Sequence, residues 1–478
     1  METWDDNSFI TVESLRTVSS DYGGFHVYAF TMTMGVIIAI LFAAYQFKRK
    51  GLKIERLMMG AVGAVPAGLF GGSFFGKLGS SNSFWSLFAF WEAGMSIHGA
   101  ILFGAGFGIL VFYLMGRRER VSIWVYMDCI LPQILVSQAV GRWGNFFNHE
   151  IFGKPAGLYN EGALSWLPGF IRDNMTKAFV GKDGTEINGI SLVSGEWYVM
   201  QPIFLYESIS FVILWALIVF LIPAIKYMTK NTPWRNDPLS FPVKATAIPL
   251  DKIVKSEKFE PKKYNVIAKS NKDGVTKEEL FYMKKTDIWQ KAYYKNTDLE
   301  AVAEYQDKID EINNKLPEID ENIWAKIKSI STITKSQWQK GKVLVNTNNP
   351  NNYHVVKAGV EAGMYFFAWN LVRMIIEIER PINNLFIKDH HLLSVLLVAM
   401  TALFGIVLAV IAQFVAPYLF RKPGFIFEKQ YFYTEDAAKA AAGTKVVKSE
   451  DNNEKISKIK LKEQKAKEKL DKTLKKDK

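Results

Sequence analysis

Residues 141–153 read GRWGNFFNHEIFG and close an apolar run. Within ten residues they offer Arg142, Asn145, Asn148, His149 and Glu150. Charge at bilayer depth is costly, so such groups face a cavity or a partner. Arg142 presents a planar fork that matches a phosphate or a carboxylate. Asn145 and Asn148 can donate and accept, and Glu150 can pair with Arg142 or another arginine. Gly141, Gly144 and Gly153 let the backbone turn or come close to a ligand. A helix end held by a structural ion pair is the plainer alternative.

Three further stretches carry polar groups into apolar surroundings. In WEAGMSIHGA (91–100), His98 enters a helix beside Glu92, Gly94 and Gly99. Imidazole is the side chain best suited to moving protons near neutral pH, although a lone histidine bonded to a carbonyl would also explain it. In QPIFLYES (201–208), Pro202 fits a first helical turn, and Tyr206 and Glu207 follow about a turn inside. A tyrosine is ordinary at a membrane interface; a glutamate is not. In AWNLVRMIIEIERP (368–381), Arg373, Glu377 and Arg380 stand at i, i+4 and i+7 on one helix face. A carboxylate between two arginines orients both and softens their cost, as a phosphate clamp or as a structural triad. Together these residues predict a polar cluster near the outer leaflet, with an anionic lipid headgroup as its natural occupant. No CxxC or His/Cys cluster points to a metal.

The elements that must position this cluster are membrane helices. The chain of 478 residues is 49% hydrophobic yet carries a formal charge of +12, so apolar and basic stretches must be segregated. Spans of about 20 apolar residues are long enough to cross a bilayer. Seven are expected, near 26–47, 57–77, 94–115, 121–141, 201–226, 358–378 and 391–420, the fourth interrupted by Asp128 and Pro132. Ala100, Gly104 and Gly108 form a small-residue ridge suited to close helix packing. Lys/Arg bias follows the first, third, fifth and seventh spans. That places the N-terminus outside and the C-terminus in the cytoplasm. The expected fold is therefore an all-α polytopic membrane protein. It has an outward N-terminal segment (1–25), spans one to five over 26–227 with an outward head region at 142–200, a polar cytoplasmic insertion at 228–357, spans six and seven over 358–420, and a basic cytoplasmic tail at 421–478. Its N-terminus lacks the basic and cleavage regions of a removable signal peptide. Cys129 is the single cysteine, so no intrachain disulfide is possible, and burial is expected for it. The Lys-rich tail has no interleaved aromatics, so no nucleic-acid role is read from it.

With these motifs in place, the chain resembles the prolipoprotein diacylglyceryl transferase family, which begins bacterial lipoprotein maturation. The family signature, approximately G-R-x-G-N-F-x-N-x-E-x-x-G, is matched completely by residues 141–153. WEAGMSIHG resembles the family stretch that ends in His-Gly, which puts the family histidine at His98. PIFLYE resembles its Pro-x-x-Leu-Tyr-Glu segment, and RMIIEIERP its Arg-x-x-x-Glu-x-x-Arg-x-Pro segment, here with Pro381 directly after Arg380. Tyr28, seven residues before Gly35, matches the early tyrosine, and Asp128 an acidic position before the signature. The likeness runs through all seven expected spans in order.

The resemblance implies transfer of an sn-1,2-diacylglyceryl group from phosphatidylglycerol to the lipobox cysteine thiol of a preprolipoprotein. A thioether forms and glycerol phosphate leaves, without a metal or soluble cofactor, at the bacterial cell membrane. It implies catalytic roles for His98, Arg142, Arg373 and Tyr28. Asn145, Asn148, Glu150, Gly153, Tyr206, Glu207, Glu377 and Arg380 would then bind substrate, Glu150 fixing Arg142 and Glu377 fixing Arg373. The chain departs from the family at Ser73, Gln201 and Trp369, where an arginine, a histidine and a tyrosine are common. A polytopic lipid transporter or flippase is the competing reading, weakened by the lack of an internal repeat and by polar groups gathered at one face. A non-catalytic membrane scaffold is a third.

Overall fold

The computed structural model describes residues 4–78, 85, 87, 97–249, 266–270, 277–293, 299–315, 323–387, 390–422 and 425–428. Glu92, Gly94 and the tail from 429 onward lie outside the described residues, as does the side chain of His98. The chain divides into two compact units: Met1–Thr229 with His354–Ala416 and Phe427–Lys429, and Lys230–Tyr353 with Pro417–Ile426 and Gln430–Lys478.

The first unit opens with β1 (Phe9–Thr11), β2 (Asp21–Tyr22) and β3 (Phe25–His26). Then come α1 (Val27–Arg49), α2 (Ile54–Lys77), α3 (Ile97–Glu119), α4 (Ile123–Ile130) and α5 (Gln133–Phe147). A mixed stretch follows: β4 (Pro155–Leu158), α6 (Gly169–Asn174), β5 (Thr176–Phe179), β6 (Thr185–Ile187), β7 (Ile190–Leu192) and β8 (Trp197–Met200). Next is α7 (Ile203–Ala216), which runs through a π turn at Leu217–Leu221 into α8 (Ile222–Met228). The second unit contributes α9 (Pro233–Asn236), β9 (Ile248–Pro249), β10 (Val266–Ser270), β11 (Lys277–Phe281), α10 (Lys285–Tyr293), α11 (Leu299–Asn314) and α12 (Ile323–Asn348). The first unit resumes with α13 (Val360–Glu379) and α14 (His391–Val410), the latter ending in a π turn at Ile411–Val415.

Where described, the stretches expected to span are largely helical. Among the described residues, five helices are long and apolar enough to cross a membrane: Val27–Arg49, Ile54–Lys77, Ile123–Phe147, Ile203–Asn236 and His391–Leu419. Large apolar side chains such as Val62, Leu102 and Met400 are more than half exposed, which suits a lipid-facing surface rather than water. The protein is mostly helical and built as a polytopic membrane protein. Small residues bring the helix pairs together. The Ala100–Gly104–Gly108 ridge of α3 meets Gly68 and Ala64 of α2, and Gly363 of α13 lies against the backbone of Ala409 in α14. The break between α4 and α5 sits at Leu131 and Pro132. Asp128, just before it, accepts from the backbone N–H of Gly359 at 2.7 Å and of Ala362 at 2.9 Å, capping the N-terminus of α13. Cys129 is buried.

The all-α expectation requires correction in the head. Strands β1, β5, β8 and β4 form a four-stranded antiparallel sheet in that order, flanked by the β2–β3 and β6–β7 hairpins. Beneath it lies a core of Trp4, Phe9, Phe152, Met175, Phe179 and Met200, closed from the helix side by Phe146 and Phe204. An open sheet is tolerated where water can satisfy its edges and not in lipid. Strands of three or four residues are also too short for an alternating pattern to be read. The second unit also mixes classes, with an antiparallel β10-β11-β9 sheet beside its helices. Trp234, Trp289 and Tyr353 meet edge to face there, and Ala303, Tyr305 and Leu344 pack α11 on α12.

A Cβ at Gly363 would stand 2.5 Å from the Ala409 backbone nitrogen. Gly363→Ala is therefore expected to cost about 1–3 kcal/mol, read as a lower thermal midpoint in detergent micelles. An unchanged midpoint would mean that this helix pair is not tightly registered.

Candidate active site

The site is organised by Glu207, whose side chain is fully buried one turn into α7. Its Oε2 lies 2.6 Å from Nε of Arg142 on α5, and its Oε1 lies 3.5 Å from Nη2 of Arg380 at the end of α13. One carboxylate thus ties three elements that are far apart in sequence. Arg380 is itself only 5% exposed, so its charge depends on that partner. Two turns earlier on α13, Nε of Arg373 lies 3.1 Å from Oε2 of Glu377, also fully buried. Glu377 is held from its other side by the backbone N–H of Phe386, so the loop after α13 folds back over it. Arg373 lies within electrostatic reach of Glu207 and Arg142 as well as Glu377, which makes these five residues one cluster.

The signature motif is not a loop. Residues 141–147 are the last two turns of α5, and the chain leaves the helix at Asn148. Arg142 Nη1 donates to Asn145 Oδ1 at 3.4 Å. Asn145 Nδ2 donates to Glu150 Oε2 at 3.4 Å, and Asn148 Nδ2 to Glu150 Oε1 at 2.9 Å. The expectation that Glu150 fixes Arg142 is therefore corrected. Glu150 orients the two asparagines, and Glu207 takes the arginine because it is reached from the buried side of α5. Arg373 does pair with Glu377, but Arg380 turns to Glu207 instead of sharing that carboxylate. His149 stands at φ +55° just beyond the helix, where Arg16 Nε donates to its Nε2 at 2.9 Å. Burial and the Arg16 charge hold the His149 pKa below its ordinary 6.5.

The glycines make room for protein. A Cβ at Gly144 would meet Thr31 Oγ1 at 2.5 Å and the Tyr28 ring at 2.9 Å, so the motif and the first turn of α1 touch. Tyr28 is brought to the site by that contact and remains 39% exposed. A Cβ at Gly153 would stand 2.8 Å from Cβ of Gln201, whose carbonyl accepts the Gly153 N–H at 3.0 Å. The close approach at Gly153 is therefore to Gln201, not to open space for a ligand. Tyr206 packs with Trp369 on the apolar core around Ile203 and Val372. His98 lies in the first turn of α3. Ser73 is buried in α2, and its Oγ has no partner among the described residues. Ser208 was not singled out in the sequence, yet its hydroxyl donates to the Ala139 carbonyl at 2.7 Å and locks α7 to α5. Its position beside Glu207 in an otherwise apolar helix was the available signal.

An apolar groove of about 410 Å³ runs between α1, α5 and α7, lined by Thr31, Val136, Val140, Trp143 and Val212 among others. After the pairs above, Nη2 of Arg142 and both Nη groups of Arg373 have no partner among the described residues. The arrangement can hold an anion at two arginines already aimed by carboxylates. Among the described residues no group of three or more His, Cys, Asp or Glu could hold a metal.

Two outcomes follow. Glu207→Gln leaves the buried Arg380 without its counter-charge and is expected to destabilise the fold by about 3–5 kcal/mol, seen as a large drop in thermal midpoint; a midpoint near the parent's would make Arg380 self-sufficient. His149 titrates below its free value, so its stabilising contribution is complete above pH 6.5 and is lost as the pH falls through that value. Between about pH 7.5 and 5.5 the parent should lose more thermal stability than His149→Gln, and equal losses would remove His149 from the Arg16 contact.

Residues 20–233 match the family model described as prolipoprotein diacylglyceryl transferase. The phosphatidylglycerol–prolipoprotein diacylglyceryl transferase of Oceanobacillus iheyensis is 29% identical over 216 residues, which cover 44% of this chain and 65% of that protein. The protein of the same name from Streptococcus pneumoniae (strain Hungary19A-6) is 30% identical over 186 residues, 38% of this chain and 61% of its own length. In both cases the match spans less than two thirds of the relative. The matched region holds Tyr28, His98, the whole 141–153 motif and Glu207, while Arg373, Glu377 and Arg380 lie beyond it. Over residues 20–233, this chain is similar to the prolipoprotein diacylglyceryl transferases.

Proposed function

We propose that the protein transfers the diacylglyceryl group of phosphatidylglycerol to the lipobox cysteine of a preprolipoprotein. The observation that carries this reading is a pair of arginines, Arg142 and Arg373, each aimed by its own buried carboxylate and each with Nη groups free. An anionic phosphodiester fits the arginines, and the apolar groove between α1, α5 and α7 would take its hydrocarbon tails.

The chemistry is a substitution at carbon. The cysteine sulfur attacks the glyceryl carbon that bears the phosphate ester. The C–S bond forms, the C–O bond breaks, and glycerol phosphate leaves with the bonding pair. The oxygen thus gains charge in the transition state, where Arg142 and Arg373 stabilise it. The thiol, with a free pKa of about 8.5, must lose its proton. His98, in the first turn of α3, takes that proton or orients the acceptor. Asn145 and Tyr28 bind the headgroup or the acceptor, Asn148 and Glu150 hold Asn145 in place, and Glu207, Glu377 and Arg380 keep the two working arginines aligned. Tyr206 supports this from the core. The groove lined by Val136, Val140 and Val212 would take an acyl chain.

This reading carries its own topology. Seven spans cross the bacterial cell membrane, with the N-terminus and the head outside. The 228–357 insertion and the 421–478 tail lie in the cytoplasm. The Lys/Arg distribution supports this orientation, and it puts the arginine cluster at the outer leaflet.

The deciding experiment mixes purified protein, phosphatidylglycerol vesicles and a lipobox peptide and weighs the peptide. Gain of one diacylglyceryl unit is expected. Arg142→Ala and Arg373→Ala should each lower the rate by about 10²–10³-fold at unchanged membrane yield. Transfer at close to the parent rate after either substitution would overturn the clamp.

A further inference from the structure

The carboxylate of Glu377 is held from two sides. Its Oε2 takes Nε of Arg373 at 3.1 Å, and its Oε1 accepts the backbone N–H of Phe386. The aim of Arg373 therefore depends on a main-chain group in the loop between α13 and α14. A loop steadies a carboxylate only as well as the loop itself is steadied.

The next residue shows what does so. The Ile387 N–H donates to Oγ of Ser394 at 2.7 Å, and that hydroxyl donates to the Ile387 carbonyl at 3.1 Å. Ser394 is the fourth residue of α14 and is fully buried. A serine inside a helix commonly returns its hydroxyl to a carbonyl one turn back. Ser394 does otherwise. Among the described residues, both its donor and its acceptor go to Ile387. One side chain thus satisfies both backbone groups of a part-buried loop residue, where an unpaired peptide group is costly. The start of the same loop is strapped separately, by Trp4 at Ile382 and by Asp6 at Asn383 and Asn384. Ser394 is the anchor beside Phe386.

We infer that Ser394 is a positioning residue for Arg373. The series runs from the Ser394 hydroxyl to Ile387, through the main chain to the Phe386 N–H, on to Glu377, and across the ion pair to Arg373. Without the hydroxyl, the end of the loop loosens and the Phe386 N–H leaves Glu377. The carboxylate then turns and Arg373 loses its aim. Ser394 itself touches no substrate. The inference rests on the transfer reaction proposed above, in which Arg373 meets the charge that develops on the departing phosphate. A small misplacement of such a group costs rate, and an interaction made in the transition state shows in kcat more than in KM.

The test uses the full-length protein with phosphatidylglycerol vesicles and a lipobox peptide. Ser394→Ala removes the hydroxyl, Ser394→Cys keeps the volume while weakening both hydrogen bonds, and Ser394→Thr restores the hydroxyl. The first two are expected to lower kcat about ten- to a hundredfold with KM for phosphatidylglycerol near the parent's, and Ser394→Thr to recover most of the loss. In an Arg373→Ala background, Ser394→Ala should change the residual rate by less than about twofold, because residues acting in series do not add. Amide hydrogen exchange read by mass spectrometry should rise over residues 382–387 in the alanine and cysteine variants and stay at the parent's level in the other helices, which also shows that they are folded. Unchanged exchange over 382–387, or a rate loss of the same factor with and without Arg373, would overturn the inference. A parent that transfers no lipid would overturn the functional reading instead, and the coupling of Ser394 to the loop would then stand or fall on the exchange alone.

Discussion

A single buried carboxylate holds the lipid-facing half of this protein to its C-terminal helices. Glu207 pairs with Arg142 from α5 and accepts a hydrogen bond from Arg380 at the end of α13, and the two arginines are 238 residues apart in the chain. Charges taken out of water stabilise only when their geometry is good and their remaining groups are satisfied. The surroundings fix the geometry. Ser208, the next residue, hydrogen-bonds α7 to α5, and Trp215 donates to Gln133 at 2.8 Å further along the same pair. The position of Arg142 is therefore fixed before any ligand arrives. The same holds for Arg373, whose partner Glu377 is pinned by the backbone of Phe386. Preorganised donors act where charge develops without reorganising at that moment, so the cost of burying the two glutamates is converted into the aim of two arginines.

The N-terminal segment and the head stabilise this arrangement from outside the helices. Trp4 donates its indole N–H to the Glu379 carbonyl at 3.2 Å and accepts from Ile382 at 2.8 Å, and Asp6 reaches Asn383 and Asn384. Asn174 accepts from the N–H of Thr17 and of Val18, and its own amide donates to the Thr17 hydroxyl. The first twenty residues are thereby strapped to the loop after α13 and to the head core. At the other end of the helices, Asp128 caps α13 and lies 3.9 Å from Lys50. α13, the helix that carries both Arg373 and Arg380, is thus held at both ends.

Much of this could be read in the residues, and what could not has a physical cause. The spans were legible because apolar runs of about 20 residues leave few alternatives. The clustering of Arg142, Glu207, Arg373 and Arg380 was legible because each is expensive in its local setting. The partners were not. Glu150 is nearer to Arg142 in sequence than Glu207 is, but it lies past the end of α5, where it meets Asn145 and Asn148 instead. The head sheet was illegible because its strands are three or four residues long and are drawn from four separate stretches.

The departures at positions 201 and 369 gain meaning from this geometry. At 201 the main chain does the structural work. The Gln201 carbonyl accepts from Gly153, and its N–H donates to the Lys154 carbonyl at 3.0 Å. Any residue whose Cβ leaves room for Gly153 preserves that contact. Trp369 lies parallel to Tyr365, with ring centroids 6.3 Å apart, and packs on the core around Val372. A larger aromatic ring in an apolar layer keeps that layer filled. Both positions support the site through backbone pairing or volume, which the substituted residues retain, whereas the positions whose charge does the work, Arg142, Glu207, Arg373, Glu377 and Arg380, are all present. Arginine differs from other cations in offering a fork that can be tied at Nε and still present its Nη edge. Under the proposed function, that division of one side chain between scaffold and ligand is what the buried glutamates make possible.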